Sequence, residues 1–286
     1  MPAWLLGIRS NVPQAARIAL GMLPVVALLF IWWLLTRGEI QERSGPFVNL
    51  PNPVDVAKSL PDLLTRQVPN PALKDNPDLA DEKLNMLGYY VWLSLRRVGL
   101  GFLLALAIAL PGGILMGALG SARASCAPLV TASGYIPIAT LVPLTMSIFG
   151  IGEEQKVAFL AMAFTIYLLP LVIKSIDSVP DVYLRTAYTM GASRWQLVYR
   201  VLVPVALPDI WHGMRLAFGV GWTYLVLTEV VVQEGGLGHI ISIAQRRGPK
   251  EHIYLTIILI ALIAWIADLL WDRLGRLLFP YQRARS

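Results

Sequence analysis

The chain has 286 residues, of which 56% are hydrophobic and only 15% charged, with a mean hydropathy of +0.60. A soluble globular chain carries about a quarter charged residues, so this composition points to an all-α polytopic membrane protein. The net charge of +6 is modest and scattered, with no basic face interleaved with aromatics, which excludes nucleic-acid binding; the single cysteine, Cys126, excludes an internal disulfide and a cysteine metal cluster.

Residues 1–36 make up a short tail and a first transmembrane helix. Ile18 to Leu35 is an apolar run of 18 residues, about the minimum for a span. Thr36-Arg37-Gly38-Glu39 follows in place of a small-residue cleavage site, so an anchor is expected and not a signal peptide. Residues 37–87 are polar and proline-rich, and are expected to form an extracytoplasmic lobe or loop. Within them Val56, Leu60, Leu63 and Leu64 share one helical face, which predicts a helix lying along the membrane surface. Pro69, Pro71 and Pro77 predict a loop after it.

Residues 88–278 read as a core of five spans, and 279–286 as a basic tail. The second span, about Val91 to Leu119, carries Gly113 and Gly117, a small-xxx-small pair that lets another helix approach closely. The third, about Cys126 to Phe149, is broken by Pro137 and Pro143. Thr140, Thr145 and Ser147 lie beside those breaks and either line a path or hydrogen-bond to neighbouring helices. After a turn at Gly150 to Lys156, the fourth span runs from Val157 to about Ile173.

Between the fourth and fifth spans lies Asp177 to Trp211, about 35 residues too polar to cross a bilayer. It reads as two short helices, Asp181–Met190 and Arg194–Val203. Ser178 is expected to cap the first, with Asp181 three positions on, and Gly191 to end it at positive φ. Ser193 with Gln196 forms a capping box for the second, which Pro204 and Pro208 are expected to stop. A stiff amphipathic helix pair held out in water is most simply explained by a partner.

The fifth span, about Met214 to Val232, has Gly213, Ala217 and Gly221 at every fourth position, another close-packing face. Near its end Glu229, following Thr223 and Tyr224, either lines a path or pairs with a neighbouring helix; an ionisable group at depth is a functional candidate. Gly235-Gly236-Leu237-Gly238 is a turn, because no strand precedes it and no Lys-Ser or Lys-Thr follows. The sixth span is about Ile253 to Leu270, with Asp268 expected to be solvated near the inner interface. The scattered His212, His239 and His252 are expected to be loop or interfacial residues. The metal expectation is none.

With the N-terminus inside, 12 of the 24 Lys and Arg fall on inner segments. Eight of the outer twelve sit in the long stretch from Arg37 to Arg97, leaving 12 against 4 in shorter segments. This predicts that both termini and the Asp177–Trp211 loop are cytoplasmic.

That loop resembles the EAA loop of ABC-importer permeases. The aligned positions are Arg185, Thr186, Ala187, Gly191, Val201, Val203 and Pro204: one Ala, the Gly and the Pro match, the aliphatics are conservatively replaced, and Glu-Ala has become Arg-Thr. The wording GASRWQ…VLVPVALPDIWHGMRLAFGVGW is similar to the nitrate/sulfonate/taurine branch, and the resemblance runs from about Leu50 to about Leu278. It implies a type I importer permease (MetI-like) fold in a bacterial inner membrane, and a small anionic or zwitterionic solute of the nitrate, sulfonate, taurine or bicarbonate class. It also implies a permease homodimer, an extracytoplasmic solute-binding protein, and two copies of a cytoplasmic ATP-binding subunit that uses Mg-ATP. The chain lacks G-x-x-x-x-G-K-[ST], so it is expected to bind no nucleotide or other cofactor and to be no enzyme itself. The coupling residues it implies are Leu184, Arg185, Thr186, Ala187, Tyr188, Met190, Gly191, Ala192, Ser193 and Pro204. Leu184, Ala187, Tyr188 and Met190 are candidates for insertion into an ATPase groove. Path candidates are Thr140, Thr145, Ser147, Thr223, Tyr224 and Glu229. Two other classes stay open: an ion-coupled secondary transporter with Glu229 as proton carrier, and a membrane scaffold or sensor.

Overall fold

In hydrocarbon every backbone N–H and C=O must be satisfied within the chain, so each long apolar run closes into a helix. The computed structural model of the chain describes residues 13–37, 50–69, 83–232 and 235–281. In chain order these form α1 (Gln14–Leu35), α2 (Pro53–Lys58), α3 (Leu60–Thr65), β1 (Gln67–Pro69), β2 (Lys83–Asn85), α4 (Met86–Ala118), α5 (Gly120–Gly134), α6 (Leu141–Phe149), α7 (Glu153–Asp177), α8 (Asp181–Thr189), α9 (Arg194–Leu197), α10 (Val203–Val231), α11 (Leu237–Arg247) and α12 (Glu251–Leu278). Among the described residues five helical stretches are long and apolar enough to cross a bilayer, counting Arg194–Val231 as one; α5 together with Ile138–Phe149, bent by 90°, makes a sixth.

The centre of the bundle is α4, α7 and α10, and glycine decides how near they come. A Cβ at Gly113 or Gly117 would lie 2.6 Å from Val172 or Ile176 of α7, and one at Gly101 would lie 2.7 Å from Leu160. On α10, Gly213 faces Leu171, and Gly221 occupies the space against the Phe164 ring. The two small-residue faces expected from the sequence are therefore the α4–α7 and α10–α7 contacts. Above them Phe102, Phe164 and Phe218 meet edge-on or stacked, with Phe102–Phe164 centroids 5.2 Å apart. Helix α1 buries none of its residues and is tied back through Trp32, whose indole N–H donates to the Pro51 carbonyl at 3.0 Å.

Several local expectations are corrected. The stretch from Val56 to Leu64 is not one surface-lying helix but two short ones, because Pro61 opens a new helix after Ser59. Val56 and Leu63 are buried in the core while Leu60 and Leu64 are exposed, so the pair seats on the bundle. Ser178 does not cap α8: its hydroxyl donates to the Ser175 carbonyl and to Asp209 at 3.2 Å, and Pro180 occupies the cap position. Pro204 and Pro208 do not stop the second loop helix. A π-helical turn at Val198–Leu202 joins α9 to α10 with its register changed just before Pro204, and the helix continues past Pro204 and Pro208 into the span.

A short antiparallel pair sets Gln67 opposite Asn85. Pro69 closes β1, whereas Pro71 and Pro77 lie outside the described residues. Asp268 is not merely solvated. It grips Arg215 of α10 with both oxygens, at 2.5 and 2.6 Å, and Asp272 takes the same guanidinium at 2.9 Å.

Candidate functional site

Three places on the bundle carry chemistry, and the first is the projecting loop. Helix α8 ends in a Schellman motif: the Gly191 N–H reaches the Tyr188 carbonyl at 2.9 Å and the Ala192 N–H reaches Ala187 at 3.0 Å, with Gly191 at φ +80°. The Ser193–Gln196 capping box then opens α9, with both reciprocal bonds formed. Between these two stops the chain turns with little freedom. Leu184 and Ala187 face inward, packed on the core that Leu197, Val198 and Leu202 of the same loop complete. Tyr188 and Met190, the latter 82% exposed, point away with Val182, and beyond them Trp195 and Tyr199 stack at 6.0 Å. Arg185, Thr186 and Ser193 are exposed, and Ala192 is half-buried. Arg194 and Arg200 are exposed too, so the outer surface is aromatic, apolar and basic. Arg123 of α5 braces the loop by pairing with Asp177.

The second place is the break in the third span. Tyr135 to Pro137 leave the helix, a 3₁₀ turn at Ile138–Thr140 follows, and Pro143 falls in the opening turn of α6. A cavity of about 490 Å³ lies beside the break, walled by Gly134, Ile136, Pro137 and Ile138, by Ile166, Tyr167, Pro170 and Leu171 of α7, and by Tyr224 of α10. The Tyr167 and Tyr224 hydroxyls are 3.0 Å apart. Thr140, Ser147 and Thr223 are exposed, although the Thr140 hydroxyl is already bonded to the Pro137 carbonyl. Thr145 is fully buried: it donates to the Leu141 and Val142 carbonyls and accepts from Gln155 at 2.8 Å. It presents no atom to an open path.

The third place is a buried ion network at the end of the bundle opposite the loop. The Glu229 carboxylate accepts from Ser94 at 2.7 Å, from Arg97 at 2.7 Å and from the Gly238 N–H at 2.9 Å. The Arg97 guanidinium also binds both oxygens of Glu153 and the Gly235 carbonyl, and the side chains of Arg97 and Glu229 are 1% and 0% exposed. Lys156 approaches Glu153 at 3.3 Å. The glycine turn folds directly over the pair, with Gly235 and Gly236 at positive φ, and a Cβ at Gly238 would lie 2.6 Å from that of Glu229. Glu229 is thus a pairing residue sealed from any open path. Sequence reasoning missed Arg97. Its signal was an arginine inside an apolar run, which calls for a buried acid elsewhere.

Beside this network, burial and the nearby Lys156 and Arg97 charges hold the His239 imidazole below its ordinary value, and its Nδ1 is buried without a hydrogen-bond partner. Among the described residues no group of three His, Cys, Asp or Glu side chains is placed to hold a metal ion.

A family profile described as the binding-protein-dependent transport system inner membrane component matches residues 101–283. The chain is 30% identical over 269 residues to the taurine transport system permease protein TauC of Escherichia coli K12, covering 94% of this chain and 92% of that one. It is 27% identical over 206 residues to the nitrate import permease protein NrtB of Synechococcus elongatus, covering 69% and 72%. In fold it is similar to a chain of the MetNI methionine ABC transporter in an inward-facing conformation, with a TM-score of 0.61 and 21% identity over 67% of this chain and 95% of that one.

Proposed function

The chain belongs to the family of binding-protein-dependent transport system inner membrane components, and from that premise we propose how its parts divide the work. It is a permease subunit of an ATP-driven importer. The α8–α9 pair is the docking element for a separate ATP-binding subunit, and the loop end of the bundle, with both termini, faces the cytoplasm. Tyr188, Met190 and Arg185 enter the partner's groove. Leu184, Ala187, Gly191 and Pro204 hold the element on the bundle, and Thr186, Ala192 and Ser193 shape its turn. Two copies of this chain pair around the path, two ATPase subunits dock beneath, and an extracytoplasmic binding protein delivers cargo. The cargo class is that of the relatives named above, small anions and zwitterions.

The observation that carries this reading is the unbroken rod from α9 through the π turn into α10. A docking helix joined to the core without a hinge transmits displacement instead of absorbing it. Closure of the ATPase pair on ATP then moves α10 against α7 along the Gly213–Gly221 face. For ATP to shift the path, it must bind the whole complex more tightly in the state with the path open outward. Thr140, Ser147, Thr223 and Tyr224 supply the hydroxyls of that path. Glu229 acts in this reading as a pairing residue, its side chain 0% exposed and held by Ser94, Arg97 and the Gly238 N–H.

The test begins with Cys126→Ser and adds Tyr188→Cys. An impermeant thiol reagent should label the new cysteine in inside-out vesicles only, and an added ATPase subunit should protect it. Labelling from the outer face would overturn both the orientation and the docking role.

A further inference from the structure

The cavity at the helix break has walls of unusual composition for an anion conduit. Among the described residues no Lys, Arg, His, Asp or Glu lines it, so a bare anion entering it would give up hydration without meeting a countercharge. It does offer a donor and an acceptor. Two tyrosine hydroxyls 3.0 Å apart use one O–H between them, which leaves the other O–H to give. Pro170 has no N–H to offer the Ile166 carbonyl one turn earlier, and both residues border the cavity. Ile136 and Pro137, which also line it, are apolar and exposed.

We propose that this cavity is a cargo-binding station for a small net-neutral zwitterion, its oxyanion bonded by the Tyr167–Tyr224 hydroxyl pair and its ammonium by the Ile166 carbonyl, to which Pro170 can offer no N–H. The proposal rests on the importer reading and narrows it. A zwitterion brings no net charge into an uncharged cavity, and its two ends match the two kinds of group on the wall. At about 490 Å³ the cavity holds a solute of several heavy atoms with part of its hydration shell. Binding through two or three neutral hydrogen bonds is weak, as release on the other side requires.

The test uses the full-length purified chain in detergent, melted in the presence of 2-aminoethanesulfonate, ethanesulfonate, ethylammonium or nitrate. The zwitterion should raise the melting temperature at lower concentration than any of the other three. Tyr167→Phe with Tyr224→Phe should weaken its apparent affinity at least tenfold. Pro170→Ala restores an N–H to the Ile166 carbonyl, and should weaken the zwitterion while leaving ethanesulfonate unchanged. Equal responses to nitrate and the zwitterion, no response to any probe, or unchanged affinity in the tyrosine variant would each overturn the proposal. ATP-driven uptake of labelled 2-aminoethanesulfonate by the complex with its ATPase and binding protein separates the two readings. Uptake with unaltered selectivity in the tyrosine variant removes the cavity assignment and leaves the importer standing. Nitrate uptake that excludes the zwitterion also removes the assignment, whereas failure of ATP to drive any uptake removes the importer.

Discussion

Replacing Glu229 by leucine tests whether the buried network holds the far end of the bundle together. The substitution removes the acceptor for Ser94, for one nitrogen of Arg97 and for the Gly238 N–H, and it strands a guanidinium whose side chain is 1% exposed. Breaking a buried pair by deleting one partner costs about 3–5 kcal/mol. Arg97 keeps Glu153, which argues for the lower end, about 3 kcal/mol, or a melting shift of roughly 6–12 °C in a chain of this size. The double variant Arg97→Met with Glu229→Leu removes both sealed charges together. Glu153, 46% exposed, then turns to water and Lys156, so the double variant should melt above the Glu229→Leu single variant. The measurement is thermal unfolding of the parent, the Glu229→Leu and Arg97→Met single variants and the double variant, purified in one detergent. A Glu229→Leu protein that melts within about 2 °C of the parent, or single-variant effects that simply add, would refute the account.

Gly191→Val should abolish stimulated ATP hydrolysis in the assembled transporter while leaving membrane insertion intact. No neighbour lies within 4 Å of its Cβ, so the cost of about 1–2 kcal/mol comes from φ +80° alone and falls on the turn between α8 and α9. Normal hydrolysis in that variant would count against docking through this turn. Gly221→Val drives a side chain into the Phe164 ring and should cost at least about 1–3 kcal/mol, read as loss of monodisperse protein on size exclusion. His239 predicts a pH effect. Its native proton affinity lies below the ordinary 6.5, so the unfolded chain takes up a proton first as pH falls, and stability declines from pH 6.5 downward until the native value is passed. His239→Phe, which preserves the edge contact with Tyr90, should melt with less dependence on pH between about 7 and 5.

Features written in short-range pattern were legible in the sequence. Apolar runs gave the spans, Pro137 gave the break in the third, and Gly191 with the Ser193–Gln196 box gave the stops of the loop helices, because caps and prolines act within a few residues. Features that depend on distant partners were not. Arg97 meets Glu229 across 132 residues of chain, and no periodicity announces that pairing. Asp268 was read as solvated because Arg215, 53 residues away, was invisible to a local reading. Ser178 had the right spacing for a cap but was claimed by Asp209. Pro204 looked like a terminator because the π turn just before it has no clear local signature, and Pro208 because its place inside a long continuing helix is not written locally. Leu184 and Ala187 shared a candidate face with Tyr188, and only the packing of α9 divides that face into an inner and an outer half.

A helix that runs without interruption from Arg194 to Val231 also constrains its own length. Adding or deleting one residue anywhere between the docking turn and Glu229 would rotate everything beyond it by about 100° and shift it by about 1.5 Å, swinging the carboxylate away from its guanidinium and the small-residue stripe off α7. Exposed side chains along this segment can be exchanged one at a time. The number of residues cannot, because a single count keeps both ends in phase.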